Sequence, residues 1–148
     1  MTDEDAMRIA LDEARAAVQH GDVPVGAVVL HQGVIVAQRH NERELTGDPT
    51  AHAEVLALRD ASAALGSWRL DECTLVVTLE PCIMCAGAAI NSRIERVVFG
   101  AADLKAGATG SLYNVASDPR INHNPLLTHG VLATESAKLL QEFFQQRR

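Results

Sequence analysis

Two cysteines three residues apart are the clearest chemical feature of this sequence. Cys82 and Cys85 come just after Pro81 and an apolar run over residues 75–79. This pattern predicts a strand that leads into a helix, with the proline near the first helical position. Residues i and i+3 share a helix face, so both sulfur atoms can approach one ion. The N-terminal end of a helix also stabilises thiolates, the form of cysteine that binds metal.

A histidine upstream is the candidate for a third metal ligand. Asp48, followed by a proline, is typical of a helix N-cap and predicts a helix from there to about residue 65. His52 then lies in the first turn of its helix, as Cys82 does in the next one. A His-Cys-Cys set leaves one position of tetrahedral zinc for water, which is typical of a catalytic site.

Glu54 is the candidate for the general base. It lies two residues after His52, an offset of about 200° in a regular helix. The two side chains therefore converge only if His52 lies at the irregular beginning of the helix. Zinc with two thiolates and a neutral imidazole is formally uncharged, so it acidifies water less than a three-histidine site does. A carboxylate that carries protons matters more at such a site.

The hydrophobic pattern predicts an α/β fold. The predicted helices span residues 4–20, 48–65, 81–91 and 136–146, and the predicted strands span residues 25–30, 34–38, 74–79, 97–100 and a part of 126–132. We expect a three-layer α/β/α arrangement with a mixed five-stranded sheet, in which two helices begin at the same sheet edge. No repeat or linker-like run interrupts the chain, which predicts a single domain over residues 1–148.

Composition and charge exclude several classes of protein. No apolar run approaches the length of a membrane span, and the acidic N-terminus differs from a secretory signal, so the expected location is cytoplasmic. The formal net charge is −6, with −8 over residues 1–90 and +2 over residues 91–148. Any contact with a polyanion is therefore expected in the C-terminal part of the chain.

The cysteine pair and the histidines also have other interpretations. A Cys-x-x-Cys pair can be a thioredoxin-like redox motif, or part of a structural zinc site with Cys73 as a fourth ligand. The remaining histidines His20, His31 and His129 are expected at the surface or in turns.

The combination His-x-Glu at residues 52–54 and Pro-Cys-x-x-Cys at residues 81–85 is the known signature of zinc nucleobase deaminases. Beyond it, the sequence resembles the tRNA-specific adenosine deaminase family over essentially its whole length. The matching segments are residues 23–28, 48–54, 78–88, 92–94, 96–101, 107–108, 110–112, 122–123 and 143–144. At residue 40, where that family often has an aromatic residue, this sequence has His40.

The resemblance implies a cytidine-deaminase-like fold, a homodimer, and conversion of the wobble adenosine of a tRNA anticodon to inosine. It implies one Zn²⁺ per subunit on the histidine and the two cysteines, with Glu54 as the proton shuttle. It also implies that Asn41 contacts the flipped base, and that Asn122 and His123 lie near the anticodon stem-loop.

Two alternatives share the same metal-site residues. A deaminase of a free base or nucleoside, such as guanine or cytosine, would differ only around the site, at Asn41, in residues 103–111 and in the basic C-terminal segment. A zinc-binding module without catalytic activity would have no need of Glu54 beside the open ligand position.

Overall fold

A five-stranded sheet with helices on both faces forms the body of the protein, as the hydrophobic pattern predicts. The computed structural model describes residues 1–147. The elements in chain order are α1 Asp3–Val18, β1 Gly26–His31, β2 Val34–His40, α2 Arg43–Thr46, α3 Ala53–Leu65, β3 Cys73–Leu79, α4 Ile83–Asn91, β4 Arg96–Ala101, a 3-10 turn at Val115–Ser117, β5 Leu126–Thr128 and α5 Ala133–Gln146.

The strand order places two helix beginnings side by side. The sheet has the order β2-β1-β3-β4-β5. β1 is antiparallel to both of its neighbours, whereas β3, β4 and β5 are parallel. β2 and β3 therefore run in the same direction on either side of β1. Because α3 follows β2 and α4 follows β3, both helices begin at the same edge of the sheet, where sites in α/β proteins form.

Alternating strand residues divide the core into two layers. Leu75 and Val77 of β3 pack with α3 and α4 on one face of the sheet. Val76, between them, packs with α1 on the other face, where α5 also contributes. Period-2 alternation of this kind is expected when both faces of a sheet are covered. The three-layer α/β/α arrangement is therefore confirmed.

The structure corrects the predicted start of one helix and adds a short helix before it. α3 begins at Ala53 rather than near residue 48, because Asp48 accepts hydrogen bonds from the N–H and hydroxyl of Thr50, both at 2.8 Å, and closes a turn. The four-residue helix α2 lies between residues 38 and 48, where the pattern predicts neither a helix nor a strand. β5 is three residues long. Among residues 1–147, none of the helices combines the length and apolar character that crossing a membrane requires.

Candidate active site

His52 and Glu54 lie together at the beginning of α3. His52 is the N-cap residue, with an extended backbone at φ −76° and ψ 149°, and the helix begins at Ala53. The extended backbone removes the 200° offset that a regular helix would impose. Both side chains line one cavity, so the condition for their convergence is met.

Cys82 and Cys85 occupy the matching place in α4. Cys82 is the N-cap residue, with φ −73° and ψ 177°, and Cys85 is the third residue of the helix. Pro81 therefore precedes the cap and lies two residues before the first helical residue, Ile83, whereas the pattern predicts it near that position. An isolated β-bridge joins Cys82 to Gly107 of a distant loop. Both helix beginnings thus carry one cap residue whose side chain faces the same point.

The three candidate ligand atoms fit a zinc ion. Nδ1 of His52 lies 3.6 Å from Sγ of Cys82 and 3.4 Å from Sγ of Cys85. All three atoms lie within 4.8 Å of one another. Tetrahedral zinc with Zn–S bonds of about 2.3 Å and a Zn–N bond of about 2.0–2.1 Å requires N···S separations of about 3.6 Å. The described residues therefore bring together a set that can hold this ion.

Hydrogen bonds among the three candidate ligands shift their pKa values in different directions. The hydrogen bond from Cys85 and the one with His52 lower the pKa of Cys82 to about 3, although burial acts in the opposite direction. The same contacts raise the pKa of Cys85, which donates to the Cys82 thiolate, and raise the pKa of His52. Metal binding displaces such protons, because thiolates and neutral imidazole are the ligand forms.

Glu54 is a buried carboxyl group next to this set. It is 4% exposed. Burial raises its pKa, and the nearby Cys82 thiolate acts in the same direction, whereas His52 opposes the shift. A raised pKa brings a carboxyl group closer to the range in which it can both accept and release a proton.

Cys73 is not a fourth ligand. It lies at the beginning of β3 and is buried in the core, whereas Cys82 follows the other end of that strand. The six steps along β3 separate the two ends by about 20 Å. Burial, followed by the acidic neighbours, raises the pKa of Cys73 to about 11. Among residues 1–147, the metal-binding set has three members, which argues against the closed four-ligand zinc site.

A cavity of about 300 Å³ opens above these residues. This volume is at the lower end of the range of about 300–1,000 Å³ for small-molecule sites. His52, Glu54 and Cys82 form its floor, whereas Arg43 and Asp103 belong to its rim. The site thus offers room for one small group, such as a single base, next to the candidate metal position.

Asn41 is part of the cavity wall and positions α3. Its Oδ1 accepts a hydrogen bond from the N–H of Ala53 at 2.8 Å, and its Nδ2 donates to the carbonyl oxygen of Val23 at 3.0 Å. A carboxamide has two donor hydrogens and two acceptor lone pairs, so one of each remains for a ligand. The contact between Asn41 and a base stays a prediction.

Asn122 and His123 lie away from the cavity. The side chain of Asn122 is exposed. Nε2 of His123 lies 2.6 Å from the carbonyl oxygen of Ile94, between α4 and β4. Neither residue lines the cavity. Their proximity to an RNA loop stays a prediction about surface outside the cavity.

The short helix α2 is a part of the rim that the sequence pattern does not reveal. Asp22 accepts hydrogen bonds from the backbone N–H groups of Glu44 at 2.8 Å and Leu45 at 3.2 Å. These bonds fix the first turn of α2, which carries Arg43 at the cavity. A carboxylate can satisfy helix N–H groups from a distant part of the chain, but neither partner has a local sequence signal for it.

A chain of side chains links Asp22 to α1. Nδ1 of His20 lies 2.6 Å from Asp22, and Nε2 of His20 lies 3.2 Å from Nε2 of His40. Nδ1 of His40 lies 3.0 Å from a carboxylate oxygen of Glu13. His20 lies in the turn after α1, as predicted, and its ring is also mostly buried and bonded on both sides.

Glu80 is a second buried carboxylate beside the cavity, and sequence reasoning missed it. It is 3% exposed. Oε1 accepts hydrogen bonds from the N–H of Asp103 at 3.1 Å and from the hydroxyl of Ser111. Oε2 accepts from the N–H groups of Thr109 at 3.1 Å and Ser111 at 3.0 Å. Burial alone would raise the pKa of Glu80, but these hydrogen bonds outweigh it and lower the pKa.

Comparison with known proteins places this geometry in a family. The sequence model of the MafB19-like deaminases matches residues 1–148. The chain is 48% identical to the tRNA-specific adenosine deaminase of Bacillus subtilis over 146 residues. This match covers 99% of this chain and 91% of that protein. A solved structure of a tRNA:A34 deaminase, which performs A-to-I editing at the wobble position of transfer RNA, has a TM-score of 0.89. It is 43% identical, over 92% of this chain and 99% of that chain.

A more distant neighbour shares the fold with another substrate. The guanine deaminase of Nitrosomonas europaea has a TM-score of 0.78 at 28% identity, over 95% of this chain and 83% of that chain. The higher sequence identity, 48% and 43% against 28%, separates the tRNA deaminases from it. The chain belongs to the tRNA-specific adenosine deaminase family.

Proposed function

We propose that this protein is a zinc-dependent hydrolase that converts adenosine to inosine at the wobble position of a tRNA anticodon. The observation that carries the proposal is the convergence of His52, Cys82 and Cys85 on one point beside the buried carboxyl group of Glu54. The similarity to tRNA-specific adenosine deaminases over nearly the whole chain supports the choice of substrate. We propose that residues 1–148 form a single catalytic domain.

His52, Cys82 and Cys85 would hold one Zn²⁺ per subunit. When bound, zinc supplies Lewis acidity that lowers the pKa of a water molecule for attack on the base. The ligand set fits this role because it gives three protein ligands and leaves one position open. His52 and Cys82 also line the cavity, so an ion that they held would lie beside a base bound there.

Glu54 moves the protons of the reaction. The carboxylate takes a proton from the attacking water, whose oxygen forms a bond to C6 of adenine, and delivers that proton to N1. Glu54 then gives a second proton from the water to the departing amino group, so that ammonia leaves and C6 becomes a carbonyl. The sum is adenosine plus water giving inosine plus ammonia. The raised pKa of Glu54 suits a group that exchanges protons twice in each turnover.

Asn41 orients the base in the cavity. The amide holds the beginning of α3 on one side and has a free donor hydrogen and a free lone pair on the other. A purine presents acceptor nitrogens and an exocyclic amino group to such a side chain. Asn122 and His123 are proposed to contact the anticodon stem-loop outside the cavity.

Cations at the rim are proposed to contact the tRNA backbone. Arg43 lines the cavity, and Lys105 lies in the loop between two further lining residues. Arg147 lines an adjoining groove with Gly21 and stacks on the Phe143 ring, with the guanidinium carbon 4.0 Å from the ring centroid. These side chains offer positive charge to phosphates in a molecule whose net charge is −6.

A free-base deaminase is the second candidate, because a guanine deaminase shares the fold. The test offers the zinc-loaded protein an anticodon stem-loop with a wobble adenosine, the same stem-loop with a wobble cytidine, free adenosine and free guanine. Inosine in a nuclease digest of the adenosine stem-loop alone supports the proposal. Ammonia released from free guanine alone overturns it and favours the second candidate.

We also propose that the enzyme is a cytoplasmic homodimer. A shallow surface lined by Val55, Leu58 and Ala88 includes the indole of Trp68, which is 64% exposed. We take this surface, at which Trp68 is the exposed large apolar side chain, as the proposed contact between the subunits. Sedimentation equilibrium of the wild-type protein and of Trp68→Glu tests this: a dimer that the substitution dissociates is expected, and a monomeric wild-type protein contradicts it.

A further inference from the structure

We propose that Glu80 is a positioning residue, whose buried carboxylate fixes residues 103–111 as one wall of the cavity and thereby sets the fit of the target base. This inference rests on the proposed deamination for its effect on substrate, but the anchoring itself depends only on the fold. Glu80 comes directly after β3 and two residues before the metal-binding turn. It therefore links the wall to the same strand end that delivers Cys82.

The hydrogen bonds of Glu80 exclude the role of a second proton carrier. Each of its two oxygens accepts two hydrogen bonds, three from backbone N–H groups and one from the hydroxyl of Ser111. A carboxylate has about four acceptor sites, so none remains for a proton from water or from a base. Glu54, by contrast, lies on the floor beside the candidate ligands. The two buried glutamates of the site thus have different tasks.

The donors show how much of the wall depends on this one side chain. They come from Asp103, Thr109 and Ser111, which span nine residues of irregular chain. Thr109 is buried, so its N–H would lose its partner without the carboxylate, and buried N–H groups are rarely left unpaired. Between these anchors, residues 104–106 are exposed and Ala106 lines the cavity. Glu80 holds both ends of the segment that faces the substrate.

At Gly107 the backbone of the wall packs directly against the carboxyl group of Glu80. A Cβ atom at this position would lie 2.3 Å from the carboxyl carbon of Glu80, and 2.3 Å and 2.5 Å from its oxygens. The backbone therefore approaches the carboxylate more closely than any side chain permits. The same residue bridges to Cys82. If the Glu80 carboxylate moved, the wall would therefore move relative to the metal-binding turn.

The experiment compares Glu80→Gln with Glu135→Gln, the same chemical change at an exposed site in the first turn of α5. The amide of glutamine directs N–H groups at two of the former donors and cannot accept their hydrogen bonds. We expect faster hydrogen exchange at the amides of Asp103, Thr109 and Ser111, full zinc content, and a KM for the adenosine stem-loop raised about tenfold or more, with kcat changed less. Glu135→Gln is expected to leave all four measurements unchanged.

Two further variants keep the inference testable if Glu80→Gln does not fold. Ser111→Ala removes one hydrogen bond, and Gly107→Ala forces the wall away from the carboxylate. Both variants are expected to raise KM for the adenosine stem-loop, as Glu80→Gln does. The inference is overturned if Glu80→Gln has the exchange rates and the KM of the wild-type protein. If Glu80→Gln does not fold, the same result in both Ser111→Ala and Gly107→Ala overturns it. The exchange rates require no substrate, so they decide on Glu80 even if the wild-type protein leaves the stem-loop unchanged, a result that counts against the proposed function.

Discussion

The floor and the rim of the cavity are built in different ways. The floor consists of the first turns of α3 and α4, which follow strands of a sheet that is covered on both faces. The rim consists of α2 and residues 103–111, and single buried carboxylates hold each of them, Asp22 for the former and Glu80 for the latter. Rigid elements suit groups that must meet within fractions of an ångström, whereas loops suit the recognition of a variable substrate. The comparison predicts that floor substitutions abolish the chemistry and rim substitutions change the affinity.

The largest effect is expected at a metal ligand. Cys82→Ala leaves two protein ligands, so we expect both zinc and stem-loop deamination to be lost. Metal analysis of the purified protein together with the inosine assay measures both. Cys73→Ala, at the far end of β3, is the matched control and should retain zinc and activity. Full activity of Cys82→Ala would show that the reaction does not need the metal.

The next largest effect is expected at the base. Glu54→Gln preserves the size of the side chain but cannot carry a proton, so kcat should fall by about 10²–10⁴-fold. Zinc content should stay at one per subunit, since Glu54 is not a ligand in the proposed set. Single-turnover assays at saturating stem-loop measure the loss. A variant with wild-type kcat would disprove the assigned role.

Asn41 lies where floor and rim meet, and the effect expected of its substitution is a moderate loss of stability. Asn41→Ala leaves the buried N–H of Ala53 without a partner, which should lower the free energy of unfolding by about 1–3 kcal/mol. Urea denaturation measures this loss. Asn114→Ala, at an exposed residue that makes no cap hydrogen bond, serves as the control. If the two variants are equally stable, Asn41 does not hold α3 in place.

The smallest effect is expected at the rim cations. Arg43→Ala and Lys105→Ala should each raise KM for the stem-loop a few-fold and reduce the slope of log affinity against log salt by about 1. The kcat value should not change, because neither side chain belongs to the floor. Arg15→Ala on the outer face of α1 is the control. If the slope of log affinity against log salt is unchanged in a variant, the substituted cation does not contact the RNA.

The floor could be predicted from the sequence because its signals are local. The spacing of Cys82 and Cys85 follows from a strand-to-helix pattern that a short window contains, and His52 lies four residues after the local helix-start signal at Asp48. The predicted condition that His52 precedes the regular helix is met by its N-cap geometry. The exact start of α3 was wrong, because an aspartate before a proline favours both a helix cap and a local turn, and here Asp48 forms the turn.

The rim could not be predicted because its contacts are distant in sequence. Asp22 fixes N–H groups 22 and 23 residues later, and Glu80 reaches Ser111 across 31 residues. A buried carboxylate that serves a loop has the same local pattern as an exposed one at a strand end. Only the fold distinguishes them, through the burial of Glu80 and the close approach of Gly107.

The two stacked histidines connect α2 to an element outside the site. Nδ1 of His20 lies 2.6 Å from Asp22, the two Nε2 atoms face each other at 3.2 Å, and Nδ1 of His40 lies 3.0 Å from Glu13 on α1. Because Asp22 also accepts hydrogen bonds from the first turn of α2, the helix that carries Arg43 is coupled to α1 through four side chains in contact. A substitution at Glu13, which does not line the cavity, is therefore expected to change how the rim is held.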